Sequence, residues 1–269
     1  MTSVVFLSPA LPSELLSYIL NQHAHPTTLI ICSTKAEFLA SIVEDIQNQS
    51  RSQHKNSRKT QDTTDHQQAA PRQDEPPHAA QEEEEDTEEV KAKATKHALL
   101  SSPLYQVATS RHIRVVYIPT VTHLRAYLSV FSPDDSRVPA PPSLPAPTRA
   151  QASPTLTVYG FLQLHRDTSE WSAQGLSDTL SALVERASRL SWKATLIEPR
   201  VVSCSDDGGS LGLEELLREA VPILNGGVRR LGLGADPNEG GGWSGRTVEV
   251  GRVLGRWTRF QKAQWDACQ

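Results

Sequence analysis

Three adjacent polar residues, His165, Arg166 and Asp167, follow an apolar segment that has the composition of a strand. In an α/β sheet, binding and catalytic groups gather at the carboxyl ends of the strands. His165 could therefore serve as a general base that Asp167 orients, which would make the chain a small-molecule hydrolase. The alternative, which we favour, is a polar loop that caps the helix beginning at Ser172.

A second place for chemistry is Cys32-Ser33-Thr34-Lys35, where a predicted strand meets a predicted helix. A phosphate-binding loop needs glycines so that successive backbone N–H groups can close around the phosphates. All 15 glycines lie at or after Gly160. Neither nucleotide-binding glycine motif can therefore occur at this junction, and we expect Lys35 to be an exposed first-turn residue. We expect no cofactor.

Residues 226–262 carry seven basic and three acidic side chains, a net charge of +4, with aromatic residues between them. Arginine interleaved with aromatics suits contact with a nucleic-acid backbone and stacking on bases. The alternative is that the aromatics pack in the core or at a protein interface, with the arginines on a solvated edge. The candidate DNA-binding residues are Arg229, Arg230, Arg246, Arg252, Arg256, Arg259 and Lys262, and the candidate interface residues are Trp243, Trp257 and Phe260.

The remaining reactive residues predict no further site. Cys32, Cys204 and Cys268 are far apart, which gives neither a disulfide framework nor zinc-ligand spacing. The histidines show no metal-ligand spacing, so we expect no metal. No apolar run is long enough to cross a membrane, and the first residues lack the basic start of a signal peptide. We therefore expect a nuclear protein, with the cytoplasm as the alternative.

The net charge of −4 is unevenly distributed, because residues 44–96 hold 13 acids and 8 bases. Two segments are too poor in apolar residues to offset the entropy of ordering, one acidic and polar and one rich in proline. The acidic run within the first, residues 82–89, is expected to be a solvated linker. We predict one α/β domain formed by residues 1–46, 98–131 and 155–269, interrupted by a disordered insert at 47–97 and a proline-rich linker at 132–154.

Apolar periodicity predicts alternating strands and helices, the pattern of an α/β fold with a parallel sheet. Leu176, Leu180, Leu183 and Ala187 form a clear amphipathic stripe. The predicted strands are 3–7, 27–32, 113–118, 155–164, 193–197, 223–233 and 247–254, the last two forming an antiparallel finish. The predicted helices are 12–20, 35–46, 99–108, 121–130, 172–192 and 213–221.

The segment Leu156–Pro199 resembles the Walker B region of RecA-like recombinases and their paralogues. In that family an apolar strand ending in a metal-binding aspartate is followed by a short helix, an arginine, a small-residue loop, a long helix and another strand. Here Arg166 follows the strand, and Ser172-Ala173-Gln174-Gly175 is similar to the loop. Gly160 stands about where the aspartate would be.

The resemblance implies a RecA-like three-layer sandwich with a degenerate nucleotide site. It further implies a non-catalytic pseudo-ATPase subunit, of the Shu-complex type, that supports homologous recombination and DNA repair. Such a subunit would pair with another RecA-like chain and contact DNA weakly. The alternative within the same fold is a scaffold subunit of an assembly such as Elongator, which acts in tRNA modification.

Overall fold

Six short strands form one sheet in which every neighbouring pair runs parallel. The computed structural model describes residues 4–22, 25–62, 98–101, 103–132, 138, 153–200, 212–224 and 246–268. The strands of the sheet are β1 (Val4–Leu7), β2 (Thr27–Ile31), β3 (Ile113–Tyr117), β4 (Thr155–Tyr159), β5 (Lys193–Ile197) and β8 (Thr258–Gln261). Their order is β3-β2-β4-β5-β1-β8, so β3 and β8 are the two edges.

Helices connect these strands, and a short antiparallel pair, β6 (Ala220–Pro222) with β7 (Thr247–Glu249), lies outside the main sheet. The helices are α1 (Pro12–Gln22), α2 (Lys35–Asp62), α3 (Leu104–Ser110), α4 (Val121–Val130), α5 (Phe161–His165), α6 (Ala173–Leu190), α7 (Leu213–Arg218) and α8 (Val250–Leu254), with 3-10 turns at Ala98–Leu100 and Gln264–Cys268. Among the described residues, no helix combines the length and the apolar character that crossing a membrane requires.

Both faces of the sheet are covered, so successive residues of the central strands β2 and β4 are all buried rather than alternately buried and exposed. Successive strand residues point to opposite faces. Val4 and Phe6 of β1 accordingly pack in one core, and Val5 and Leu7 pack in the other. The prediction of an α/β fold with a largely parallel sheet is confirmed.

The helices form one layer on each side of the sheet. On one face lie α4, α5, α6 and α8, and the stripe of α6 from Leu176 to Ala187 is buried there as predicted. On the other face lie α1 and α2, which contribute Leu15, Ile19 and Phe38 together with Trp265. The result is three layers, helices–sheet–helices.

The antiparallel finish is found only in part: Thr247–Glu249 does pair antiparallel, but with Ala220–Pro222 and outside the six-stranded sheet. Residues 225–233 of the first predicted strand lie outside the described part of the chain. The second, 247–254, is a strand only to Glu249, and then becomes α8. Val250, Val253 and Leu254 have the i, i+3, i+4 spacing of a helical face and are buried on it. The last strand, β8, is instead a parallel neighbour of β1.

Two boundaries in the first half also differ from the prediction. Helix α2 continues to Asp62, so residues 47–62, the first part of the segment predicted to be disordered, are helical. The predicted helix 99–108 is divided at Pro103 into a 3-10 turn and α3. A proline has no N–H to donate and favours the first helical turn, which explains the break.

Candidate functional site

The carboxyl ends of β1, β2, β4 and β5 lie together at one end of the sheet, across the strand tips, where α/β proteins bind their ligands. Two clefts open there, of about 860 and 710 Å³. Both are lined by Gln163, Arg166, Asp167 and Pro199, which form a shared wall. The loops at the carboxyl ends of these strands are therefore the candidate site.

The loop from Ser8 to Leu11, which joins β1 to α1, has every backbone N–H engaged inside the protein. Pro9 has no N–H, and the three other residues donate to groups of the same chain. Backbone N–H groups that already have partners cannot cradle a phosphate. The bonds run from Ser8 N to Gln261 O (3.2 Å), from Ala10 N to Glu198 O (2.9 Å) and from Leu11 N to a Glu14 carboxylate oxygen (2.8 Å).

The carbonyl groups of the same loop are engaged by donors from distant parts of the chain. The Pro9 carbonyl accepts from the indole N–H of Trp265 (3.0 Å) and from the Arg200 guanidinium (3.2 Å). The Ala10 carbonyl accepts from the hydroxyl of Tyr159 (3.0 Å) and from the backbone N–H of Arg200 (3.0 Å). The loop is thus fixed on both sides of its backbone.

The junction after β2 closes on itself through a helix cap. Thr34 donates its N–H to the Glu37 carboxylate (2.9 Å), and Glu37 donates its N–H to the Thr34 hydroxyl (3.2 Å). This reciprocal pair is a capping box. The bond from Thr34 holds the pKa of Glu37 below its ordinary value. Lys35 is an exposed first-turn residue, as predicted.

A buried carboxylate occupies the junction after β4. Glu198, at the end of β5, is 2% exposed and accepts from the N–H groups of Leu162 (2.7 Å) and Gln163 (3.3 Å) at the start of α5. Burial raises its pKa to about 7, while these N–H groups oppose that rise. No feature of the sequence singled out Glu198, because a glutamate following an apolar strand is ordinarily solvated.

Gly160 ends β4 with a φ of 83°, in the left-handed region that residues with a Cβ rarely adopt. A Cβ at this position would contact the Cys32 side chain at 3.6 Å and Pro199 at 3.8 Å, so the obstacle is the backbone conformation rather than the space. An aspartate here would be conformationally strained. The backbone therefore favours glycine where the resemblance would place a metal ligand.

His165 is a structural residue of the core rather than an exposed base. It is fully buried, its Nδ1 lies 2.8 Å from the Phe161 carbonyl, and its Nε2 lies 3.0 Å from the Thr179 hydroxyl. A carbonyl can only accept, so Nδ1 carries the proton, while Nε2 lies against the Thr179 hydroxyl, whose one proton is also within reach of the Gly175 carbonyl (3.2 Å). Burial lowers the pKa of His165 to about 4. Both ring nitrogens are therefore occupied, which argues against a role as a general base.

Its two neighbours do not complete a catalytic set. Arg166 forms an ion pair with Glu219 and lies 5.2 Å from the ring of Trp171. Asp167 is exposed in the left-handed conformation, with a φ of 59°. The Ser172 hydroxyl accepts from Gly175 N (3.0 Å) and caps α6, as predicted. Within the described residues, no group of His, Cys, Asp and Glu could hold a metal ion.

Of the candidate nucleic-acid residues that the structure describes, Arg259 lies in β8, Lys262 follows it directly, Arg252 lies in α8 and Arg256 lies in the turn between α8 and β8. Four of them, Arg252, Arg256, Arg259 and Lys262, are exposed, and none forms an ion pair with another described residue. Arg246 is also exposed and precedes β7. Arg229, Arg230 and Trp243 lie outside the described residues.

The two described aromatic candidates are partly buried within this chain. Trp257 packs against the first core, and Phe260 lies edge-to-face on Phe6 with ring centroids 5.9 Å apart. Phe260 still exposes 36% of its surface. The two residues thus anchor the β8 edge, and Phe260 keeps part of its ring available to another molecule.

Comparison with known proteins identifies no relative: no family model, curated protein or solved structure matches the chain.

Proposed function

We propose that this chain is a non-catalytic, RecA-like accessory subunit that supports homologous recombination and DNA repair in the nucleus. It acts by binding another RecA-like subunit and by contacting DNA weakly through its β8 edge. The observation that carries the proposal is the loop from Ser8 to Leu11, at a position suited to binding phosphate but with its backbone fully engaged within the chain.

The order of elements after β4 adds support. The family that the sequence resembles places a short helix and then an arginine between its Walker B strand and the following loop. The short helix was not predicted from the sequence, yet α5 lies at that place and Arg166 follows it directly. The long helix α6 and strand β5 then follow in the expected order.

The state of the nucleotide site supports a non-catalytic role. Gly160 holds a conformation that disfavours an aspartate, and the buried Glu198 carboxylate takes the N–H groups at the start of α5. A nucleotide would have to displace internal bonds at the start of α5 and in the Ser8–Leu11 loop. Leaving buried partners unsatisfied costs roughly 1–3 kcal/mol for each group.

Nucleotide binding and partner identity test this function. The full chain, titrated with a fluorescent ATP analogue and Mg²⁺, should show no saturable binding, whereas a dissociation constant below about 100 µM, or roughly −5.5 kcal/mol, would contradict the proposal. Affinity purification of the full chain from its own cells should recover recombination factors. Recovery of tRNA-modification subunits instead would place the chain in an Elongator-type assembly.

A further inference from the structure

The edge strand β3 leaves half of its backbone hydrogen-bonding groups without a partner in the described part of the chain. Ile118 N donates to Ile31 O (2.8 Å), which fixes the residues that face β2. The N–H and C=O of one residue point to the same side of a strand, and the side alternates along the chain. The backbone groups of Ile113, Val115 and Tyr117 therefore point outwards, available to a further strand.

Apolar side chains continue from this edge onto α2. Phe38 of α2 lies 6.2 Å from the ring of Tyr117, so α2 covers the face to which Val115 belongs. One side of α2 faces α1, because the Asp45 carboxylate accepts from the backbone N–H of Ser13 (2.9 Å). The opposite flank, towards β3, carries Leu39 and Val43, which are 47% and 54% exposed, and Val115 itself is 43% exposed.

Helix α3, which leads directly into β3 and contacts α1, exposes further apolar side chains. None of its residues is buried, although its sequence is largely apolar. Leu104 is 88% exposed and Tyr105 54% exposed. A short helix with no buried face gains little stability from its own chain. We refer to Leu39, Val43, Arg114 and Val115 together as the β3 surface.

The charge of Arg114 indicates what would complement this surface. Its guanidinium lies 5.8 Å from the ring of Tyr127, and its buried Nη1 has no hydrogen-bond partner among the described residues. No carboxylate in the described part of the chain forms an ion pair with it. Strand β3 reads Ile-Arg-Val-Val-Tyr and contains no acid. A second copy of β3 therefore could not neutralise Arg114.

We propose that the β3 surface binds an extended strand of a different protein, which adds to the sheet beside β3. Its backbone would pair with Ile113, Val115 and Tyr117, which is β-strand addition. Its apolar side chains would cover Val115 and the exposed flank of α2. An aspartate or glutamate on its other face would contact the exposed part of Arg114. This inference deepens the proposed function, on which it rests for the identity of the partner.

Two probe peptides of opposite charge test the binding chemistry directly. One is an acetylated and amidated Val-Glu-Val-Glu-Val-Glu-Val, and the other replaces each glutamate with lysine. Binding to the full chain is followed by fluorescence anisotropy. The glutamate peptide should bind at least tenfold more tightly, and Arg114→Glu should reverse the preference. The control, Arg189→Glu on α6, changes an exposed arginine outside both edge strands and should leave the preference unchanged.

Three results would overturn the inference: equal binding of the two peptides, no binding of either, or a stable dimer of the chain alone in sedimentation. The outcome is separable from that of the proposed function. If the peptides bind as expected but recombination factors do not co-purify, the β3 surface is supported as a strand-binding site and the assignment to recombination is wrong. If recombination factors co-purify but the peptides do not bind as expected, only the proposal for the β3 surface is wrong.

Discussion

The two edges of the sheet expose opposite kinds of chemistry. At β8, the side chains of Arg259 and Lys262 are charged and exposed, and such charges prevent an edge strand from pairing with other strands. At β3, the exposed Val115 is apolar, and Arg114 lies over an aromatic ring instead of shielding the edge. One edge is suited to a polyanion and the other to a strand. A single sheet can therefore present two surfaces that work independently.

The largest expected effect is on stability, at Glu198, which follows the interior strand β5 and belongs to neither edge strand. Its pKa is about 7 in the folded chain against an ordinary value of 4.5, so the folded state holds the proton more strongly. Its contribution to stability is therefore fully present below about pH 4.5 and is lost as the pH rises through 7. Glu198→Gln should remove this loss.

Urea denaturation of the two proteins at pH 5 and pH 8 measures the effect. The free energy of unfolding of Glu198→Gln, minus that of the parent chain, should be larger at pH 8 than at pH 5 by about 2.5 kcal/mol. His165 has the opposite sign, because its lowered pKa makes the folded chain more stable as the pH rises from 4 towards 6.5. A difference between parent and variant that does not change with pH would contradict the assignment to Glu198.

The next effect contrasts how the two edges are anchored. Phe260→Ala removes the edge-to-face contact with Phe6 and should lower the free energy of unfolding by about 2 kcal/mol. Val115→Ala removes an exposed side chain and should cost less than about 1 kcal/mol. Denaturant titration of both variants gives the comparison. Equal losses of unfolding free energy would contradict the exposure of Val115, because they would mean that its side chain is buried within this chain.

The smallest effect concerns DNA at the β8 edge. Changing Arg252, Arg256 or Arg259 to Glu should weaken binding of a labelled duplex about three- to tenfold at low salt, and should flatten the dependence of affinity on salt. Arg189→Glu is the control, because Arg189 is also exposed but lies on α6. If all four variants bind alike, or if the parent chain shows no affinity, the β8 edge does not contact DNA.

The sequence was sufficient for those elements whose signal is local. Strand β2 is a continuous apolar, β-branched run, and α6 has a buried stripe and a serine cap, so both were predicted. Strand β8 was missed because Thr-Arg-Phe-Gln carries the polarity of an exposed edge rather than of a core strand. Helix α8 could have been found from the spacing of Val250, Val253 and Leu254, although its five residues give a weak pattern.

The candidate site was less predictable, because its decisive contacts join residues that are distant in sequence. The lack of glycine near Lys35 predicted that no phosphate-binding loop precedes α2. No pattern in the sequence made a corresponding prediction for the Ser8–Leu11 loop, which precedes α1. Its partners, Tyr159 and Trp265, are 149 and 256 residues away along the chain. His165 and Glu198 likewise bond to residues that are 14 and 36 positions away, Thr179 and Leu162. Local pattern carries no information on such pairings.

The bonds that fix the Ser8–Leu11 loop also have a consequence for biosynthesis. Strand β1 is synthesised well before β8 and Trp265, which pair with it and hold its loop, because Trp265 lies 256 residues after Pro9. Contacts of such large sequence separation slow folding, because a long chain must close before they form. The sheet is therefore complete only once β8 has been synthesised, and until then the side of β1 opposite β5 lacks its partner strand.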